Sequence, residues 1–307
     1  MTPRRFVEVT GLPVLARMQV TDPNRKPTGA KRWQRKIARS VHGLFHTTLG
    51  FRLHGTLTVV TADGTRVPVR IDARQSVYID FASRDRHGGY EPAETLLIDA
   101  LLPKADVFFD IGSNWGYYTL LAATNPSFGG TVFAFDVQPA INDALAAMTR
   151  QLGLTLVHVM GFGLSERGGT VEISRERHIH LTRVLNAPTV RQKTIAADVK
   201  ALDQLDLPPP QLIKMDVEDH ELSVLHGGEK VISRNRPAVL FECRSDGGNG
   251  AVTGFFTERD YEIFAVENVT PDRRHVMLRT LQRHGAMHHG PNVLALPTER
   301  RNFWLGL

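Results

Sequence analysis

Cysteine is almost missing from this chain, and much follows from that. The one thiol, Cys243, has no internal partner, so a disulfide framework is excluded, and a single sulfur cannot build a cysteine-based zinc cluster. The residue reads as a small buried apolar side chain at a strand end. Long hydrophobic runs are missing too. No stretch approaches the roughly 18 uncharged apolar residues of a membrane-spanning helix. Arg4 and Arg5 are followed by no continuous apolar segment of the kind a secretory signal needs. A cytoplasmic chain is the expectation, with any membrane contact confined to its periphery. Internal repeats are absent. So are the Gly-Lys-Ser/Thr ending of a P-loop and the Gly-x-Gly-x-x-Gly of a nicotinamide site.

What is present is ordinary for a globular protein: 42% hydrophobic and 22% charged residues in a chain of 307. The net charge of +5 is unevenly placed. The first forty residues hold ten Lys and Arg against Glu8 and Asp22, a net +8, so the remaining 267 sum to −3. Basicity therefore belongs to an extension and argues for a local anionic contact, a membrane surface or nucleic acid. From Lys31 to Phe45, Trp33, Ile37, Val41, Leu44 and Phe45 share one helical face, while Lys31, Arg32, Arg35, Lys36 and Arg39 crowd the other. Such a helix can lie on an anionic membrane. The plainer expectation is that its apolar face docks on the rest of the chain.

The residues before this helix are Pro-rich and read as irregular. Thr56–Thr61 and Arg66–Ile71 flank Asp63-Gly64, a strong hairpin signal because a tight turn needs positive φ. From about Val107, strands and helices alternate. Val107–Ile111, Thr131–Phe135, Thr155–Met160, Gln211–Met215 and Ala238–Glu242 read as strands, and Tyr261–Val266 and Asn292–Leu296 as two more at the edge. The pattern predicts an α/β domain with a doubly wound, mostly parallel, seven-stranded sheet over residues 95–307. Before it lies an extension over residues 1–94 with the basic helix and the hairpin. An insert over about 164–205 interrupts the rhythm, and inserts at strand ends commonly shape substrate sites. A helix from about His220 uses Leu222, Leu225 and Ile232 and stops at Arg236-Pro237.

The strongest chemical signal is Phe108-Phe109-Asp110-Ile111-Gly112-Ser113-Asn114-Trp115-Gly116. A buried strand turns through glycine and opens a helix, which can bring backbone N–H groups against a polar ligand. Asp110 ends an apolar strand, where burial without a partner is costly, and a ligand ammonium group would supply one. Asp-x-Gly-x-Asn-x-Gly fits an S-adenosylmethionine loop, since that ligand has an amino-acid end. Asp136, 26 residues later, ends the second strand, where it can accept both hydroxyls of a ribose or, alternatively, cap the helix before Pro139. The third signal is the titratable cluster Asp216, Glu218 and His220 at the end of the fourth strand. These residues can orient an acceptor hydroxyl or take its proton, with histidine the natural base near neutral pH. Helix capping is the competing role. No Asn/Asp-Pro-Pro-Tyr/Phe motif of amino methyltransferases follows the fourth strand, which favours an oxygen acceptor. Asp216 and Glu242 would suit Mg²⁺. No third ligand is evident, so a metal is not expected. His178, His180 and Glu242 are candidate acceptor contacts, with solvated loop residues the alternative for the two histidines. His288 and His289 read as loop residues.

Taken together these blocks resemble the FkbM-type methyltransferases. The resemblance rests on Val107 to Gly116 followed by Tyr117-Tyr118-Thr119-Leu120, on Val132 to Asp136 with Pro139 behind it, and on Gly163-Leu164-Ser165. It continues through Ala201-Leu202-Asp203, Leu212–Glu221 and Pro237 to Glu242, about half the chain. It implies a class I, Rossmann-like methyltransferase fold, S-adenosylmethionine as cofactor, and O-methylation of a hydroxyl on a sugar, glycan or related natural product. By position it implies cofactor contacts from Glu91, Asp110, Gly112, Ser113, Asn114, Asp136, Val137, Ser165 and Asp216. Two departures stand out: Asp136-Val137 replaces the family's usual Glu-Pro, and Asp219 replaces the glycine that usually follows Val-Glu. RNA methylation through the basic extension, and a cofactor-binding scaffold without catalysis, remain alternative functions.

Overall fold

The computed structural model describes residues 6–11, 29–43, 54–72, 90–174, 194–242, 249–270, 275–281 and 292–307. Leu44, Phe45, His178, His180, Cys243, His288 and His289 lie outside these ranges, so the expectations placed on them are not addressed by the fold.

Fourteen strands are described. In chain order they are β1 Val7–Gly11, β2 His54–Val60, β3 Arg66–Asp72, β4 Val107–Ile111, β5 Thr131–Phe135, β6 Val157–Val159 and β7 Gly163–Leu164. Then come β8 Gly169–Ser174, β9 Thr194–Lys200, β10 Leu212–Met215, β11 Ala238–Glu242, β12 Tyr261–Val269, β13 Val276–Thr280 and β14 Asn292–Pro297. The helices used below are α1 Gly29–Gly43, α2 Pro92–Leu101, α3 Tyr117–Ala123, α4 Pro139–Gln151, α5 Glu221–Gly227, α6 Glu229–Asn235, α7 Asn249–Thr257 and α8 Arg301–Leu305.

The central sheet runs β13-β12-β14-β11-β10-β4-β5-β6. β6, β5, β4, β10 and β11 pair in parallel, whereas β14 and β13 run antiparallel to their neighbours. The strand order reverses between β4 and β10, and ligands of open α/β sheets sit outside the strand ends at such a switch point. The sheet has eight strands and not the predicted seven. β13 folds back on β12, but its side chains are half-buried or exposed, so its sequence lacks the apolar run that marks the inner strands.

Strand periodicity sends alternate residues to two cores. Phe108, Val132, Leu212 and Leu240 pack with α2, α3 and α4 on one face, while Phe109, Phe133, Ile213 and Phe241 pack with α5, α6 and α7 on the other. Helices thus cover both faces, as a parallel sheet requires.

The predicted hairpin is β2–β3, turning at Asp63-Gly64, where Gly64 has φ 84°. It gains a third strand, β1, in a stretch that reads as irregular from its sequence; the Val7–Gly11 run is too short to rise above its Pro-rich surroundings. The small sheet joins the larger body through apolar burial. Phe6, Leu57, Val59, Val69 and Ile71 are buried in the same core as Ile98 and Tyr117. Gln151 of α4 adds a side-chain splint: its Oε1 accepts from Arg70 N at 3.1 Å, and its Nε2 donates to Arg70 O at 3.1 Å.

The predicted helix from His220 to Arg236 is two helices, α5 and α6, broken at Gly227-Gly228. A Cβ on Gly227 would lie 2.0 Å from the Ser165 carbonyl oxygen, so the break lets the Ser165 loop approach the backbone. Asp203 then caps α6, accepting from the backbone N–H of Lys230 and Val231 at 3.0 and 2.9 Å. Within the insert, β7, β9 and β8 form a separate three-stranded sheet. Among the described residues no helix is long and apolar enough to cross a membrane.

Candidate functional site

The loop after β4 takes its shape from glycine. Gly112 has φ 76°, and a Cβ there would lie 1.8 Å from the carbonyl oxygen of Asp216, so the β4 and β10 ends can touch only at a glycine. Asn114 and Gly116 are also left-handed, at φ 47° and 82°. The N–H groups of Gly112, Ser113 and Asn114 are engaged internally and not turned toward a ligand, contrary to the sequence expectation for them. Gly112 and Ser113 donate to Phe135 O at 2.8 and 2.9 Å, and Asn114 donates to Asp136 Oδ2 at 2.9 Å. Satisfying backbone donors within the turn is what burial demands here.

Asp136 is 8% exposed at the end of β5. Its Oδ1 accepts from Gln138 N at 2.8 Å, and Gln138 occupies the N-cap position of α4 without a side-chain capping bond. Burial raises its pKa to about 6. The two backbone donors work against that rise, and the charges of Asp110 and Asp216 add to it. Two accepted bonds leave lone pairs on both oxygens, so hydroxyl donors can still be received.

Asp110 is fully buried, with Thr119 Oγ1 donating to its Oδ2 at 2.6 Å. Burial raises its pKa, opposed by Lys214 and the Thr119 bond. Its Oδ1, together with Ser113 Oγ and Asn114 Oδ1, is buried with no hydrogen-bond partner among the described residues. Three orphaned polar atoms in one loop fit a ligand carrying a polar, cationic end.

One cleft opens at the switch point. Gly112, Asn114, Asp136, Val137, Ile141, Gly163, Leu164, Val199, Asp216, Val217, Glu218 and His220 line it. Asp110, fully buried, is not part of this lining, and Ser165 lines a separate hollow with Arg167, Thr170 and Ser223. Ser165 Oγ is 2.9 Å from His220 Nε2, and burial lowers the His220 pKa, favouring the neutral ring. Glu218 and Asp219 are consecutive left-handed residues, at φ 52° and 73°. Asp219 therefore stands at a position whose backbone suits glycine, which accounts physically for the residue usual there.

Behind the cleft sits a group that the sequence reading passed over. Lys214, 5% exposed, places its Nζ 3.0 Å from Asp216 Oδ2 and 5.1 Å from the centre of the Tyr118 ring. Burial disfavours its charge, yet Asp216, Glu91 and Asp110 together hold its pKa above the ordinary lysine value. Tyr118 in turn donates to Glu91 Oε2 at 2.7 Å. Glu91, before α2, thus joins the buried network and not the cleft wall. The signal was available: a lysine inside Leu-Ile-Lys-Met must find carboxylates if the strand is buried. Carboxylate oxygens of Asp216, Glu218 and Glu242 lie within 4.8 Å of one another. Glu218 supplies the third acid that the sequence did not reveal for a hard cation, although Lys214 already neutralises Asp216.

The sequence profile of the Methyltransferase FkbM domain matches residues 110–263. The chain is 30% identical over 157 residues, 50% of its own length, to the hexuronic acid methyltransferase AglP of Haloferax volcanii, and spans 62% of that protein's length. Among solved structures, methyltransferase FkbM of Methylobacillus flagellatus is similar at 20% identity and a TM-score of 0.41, over 81% of this chain and 60% of that one. An O-methyltransferase of Bacillus cereus is similar at 14% identity and a TM-score of 0.39, over 69% and 84%.

Proposed function

Because the chain belongs to the FkbM methyltransferase domain family, we propose that it is an S-adenosylmethionine-dependent O-methyltransferase whose acceptor is a saccharide hydroxyl. One observation carries the reading. A single cleft at the switch point is lined both by Gly112, Asn114, Asp136 and Val137 and by Asp216, Glu218 and His220. A donor and an acceptor held there would meet in one cleft. The saccharide class is supported by the hexuronic acid methyltransferase to which half the chain is similar.

Residues 95–307 form the methyltransferase domain and residues 1–94 its extension. Gly112, Ser113, Asn114, Asp136 and Val137 hold the cofactor, with Asp110, Glu91 and Ser165 setting the shape and charge behind them. When bound, S-adenosylmethionine supplies an electrophilic methyl group. Asp216, Glu218 and Glu242 orient the acceptor hydroxyl. His220 takes its proton. That role requires the tautomer in which Nε2–H donates to Ser165 Oγ, leaving Nδ1 to accept. Burial keeps the ring neutral and ready for it. The acceleration comes chiefly from alignment of the two reactants and exclusion of water.

The test is labelled-methyl transfer from S-adenosylmethionine to hexuronic-acid and neutral glycans, with products identified by mass spectrometry. Transfer to a glycan hydroxyl, reduced about 100-fold or more in His220→Ala with cofactor affinity unchanged by calorimetry, is the expected result. Full turnover in His220→Ala would remove the base assignment. Labelling of protein or RNA alone would remove the saccharide.

A further inference from the structure

The basic helix α1 is used by nothing in the reaction. It carries five Lys and Arg in fifteen residues and no acid. At about 100° per residue, Lys31, Arg32, Arg35, Lys36 and Arg39 fall on one arc, and Ala30, Trp33, Ile37, Ala38 and Val41 on the other. The expectation was that the apolar arc packs on the chain. Only one edge of it does so: Ala38 is 1% exposed and Val41 half-buried, whereas Trp33 is 71% and Ile37 50% exposed. Trp33 and Ile37 stand one turn apart, so they form a single apolar ridge. Lys36, also exposed, lies beside the ridge at the border with the cationic arc.

We propose that α1 is a membrane-surface anchor that seats the enzyme on an anionic lipid bilayer, Trp33 and Ile37 entering the headgroup boundary with Lys36 beside them at the lipid phosphates and the positive charge of the segment drawing it to the surface. Two observations select lipid. The net +8 of the first forty residues is complementary to an anionic surface, while the −3 of the remainder is not. The exposed Trp–Ile ridge suits the apolar boundary a few ångströms below the headgroups, and a polyphosphate backbone has no use for the isoleucine. The helix is too short and too charged to span, so the contact is peripheral. This inference is independent of the methyl-transfer chemistry.

Intrinsic fluorescence reports the contact directly. The chain has three tryptophans, and Trp115 and Trp304 are 3% and 2% exposed, so a shift on vesicle binding belongs to Trp33. The full chain is floated with phosphatidylcholine vesicles and with vesicles containing phosphatidylserine. Binding to the second kind only, lost as salt rises, with a blue shift in emission, is expected. Trp33→Phe should keep the binding and lose the shift. Arg32→Gln with Lys36→Gln should weaken partitioning about 30-fold, and Ile37→Glu should weaken it on the neutral side of the same ridge. Equal binding to both vesicle types, no binding, or unchanged partitioning in the double variant would overturn the proposal. So would tighter capture by single-stranded RNA than by the anionic vesicles.

Discussion

Asp136 concentrates the tension of the site in one carboxylate. It is buried, and it accepts two backbone N–H groups that fix the loop after β4 against the start of α4. Desolvation nonetheless wins, and the pKa stands near 6 against an ordinary 3.8. A raised carboxylate pKa means that the native state holds a proton which the unfolded chain has already released. The associated stability is present below about pH 4 and is lost as pH climbs to about 6, a change on the order of 3 kcal/mol. Urea unfolding at several pH values should show this slope in the native chain and its disappearance in Asp136→Asn. Parallel profiles would mean the group is not desolvated as described. Gly112 makes the second residue-scale prediction. A methyl group there meets the Asp216 backbone at 1.8 Å, which no rotamer change can relieve. Gly112→Ala should therefore lower stability by about 3 kcal/mol or more, read as a large drop in Tm, and should displace the acid at position 216 from the cleft.

At the scale of elements, the inner strands were legible because burial on both faces writes an apolar run. Val107–Ile111, Thr131–Phe135 and Ala238–Glu242 came through unaltered. Partly exposed strands were not. β9 exposes alternate residues, β13 is half-buried or exposed throughout, and β1 lies in a Pro-rich stretch that hides its alternation. The site divided the same way. Gly112, Asn114, Asp136, Asp216 and His220 declared themselves through position at strand ends. Lys214, Tyr118 and Thr119 did not, because their roles exist only through partners distant in sequence. The Glu218–Asp219 turn shows a further limit: as sequence it is a cluster of acids, as structure it is a left-handed bend that lets α5 begin. Asp219→Gly should relax that bend and raise stability by about 0.5–1 kcal/mol, measurable as a small increase in Tm. A fall in stability would instead show that the Asp219 carboxylate is itself a structural partner.

For the whole molecule, the decisive feature is that the N-terminal sheet shares its core with the central one. Leu57 and Val59 are completely buried, and they pack in one cluster with Ile98, Leu102, Phe108 and Leu121. Phe6 lies 5.2 Å, ring centre to ring centre, from Tyr117 at the first turn of the helix that follows the β4 loop. Removing contacts in the small sheet should therefore loosen the wall of the cleft, although no residue of that sheet lines it. Truncating Leu57 to Ala deletes three buried carbons and should cost about 2–5 kcal/mol. If the two sheets form one cooperative unit, far-ultraviolet and near-ultraviolet circular dichroism should report the same lowered midpoint in Leu57→Ala. Two separate transitions, with only the first displaced, would mean that the extension unfolds by itself and that the continuity of the core carries no energetic coupling. The wild-type chain supplies the reference, because its Trp115 and Trp304 are buried within the larger body and follow the unfolding of that body alone.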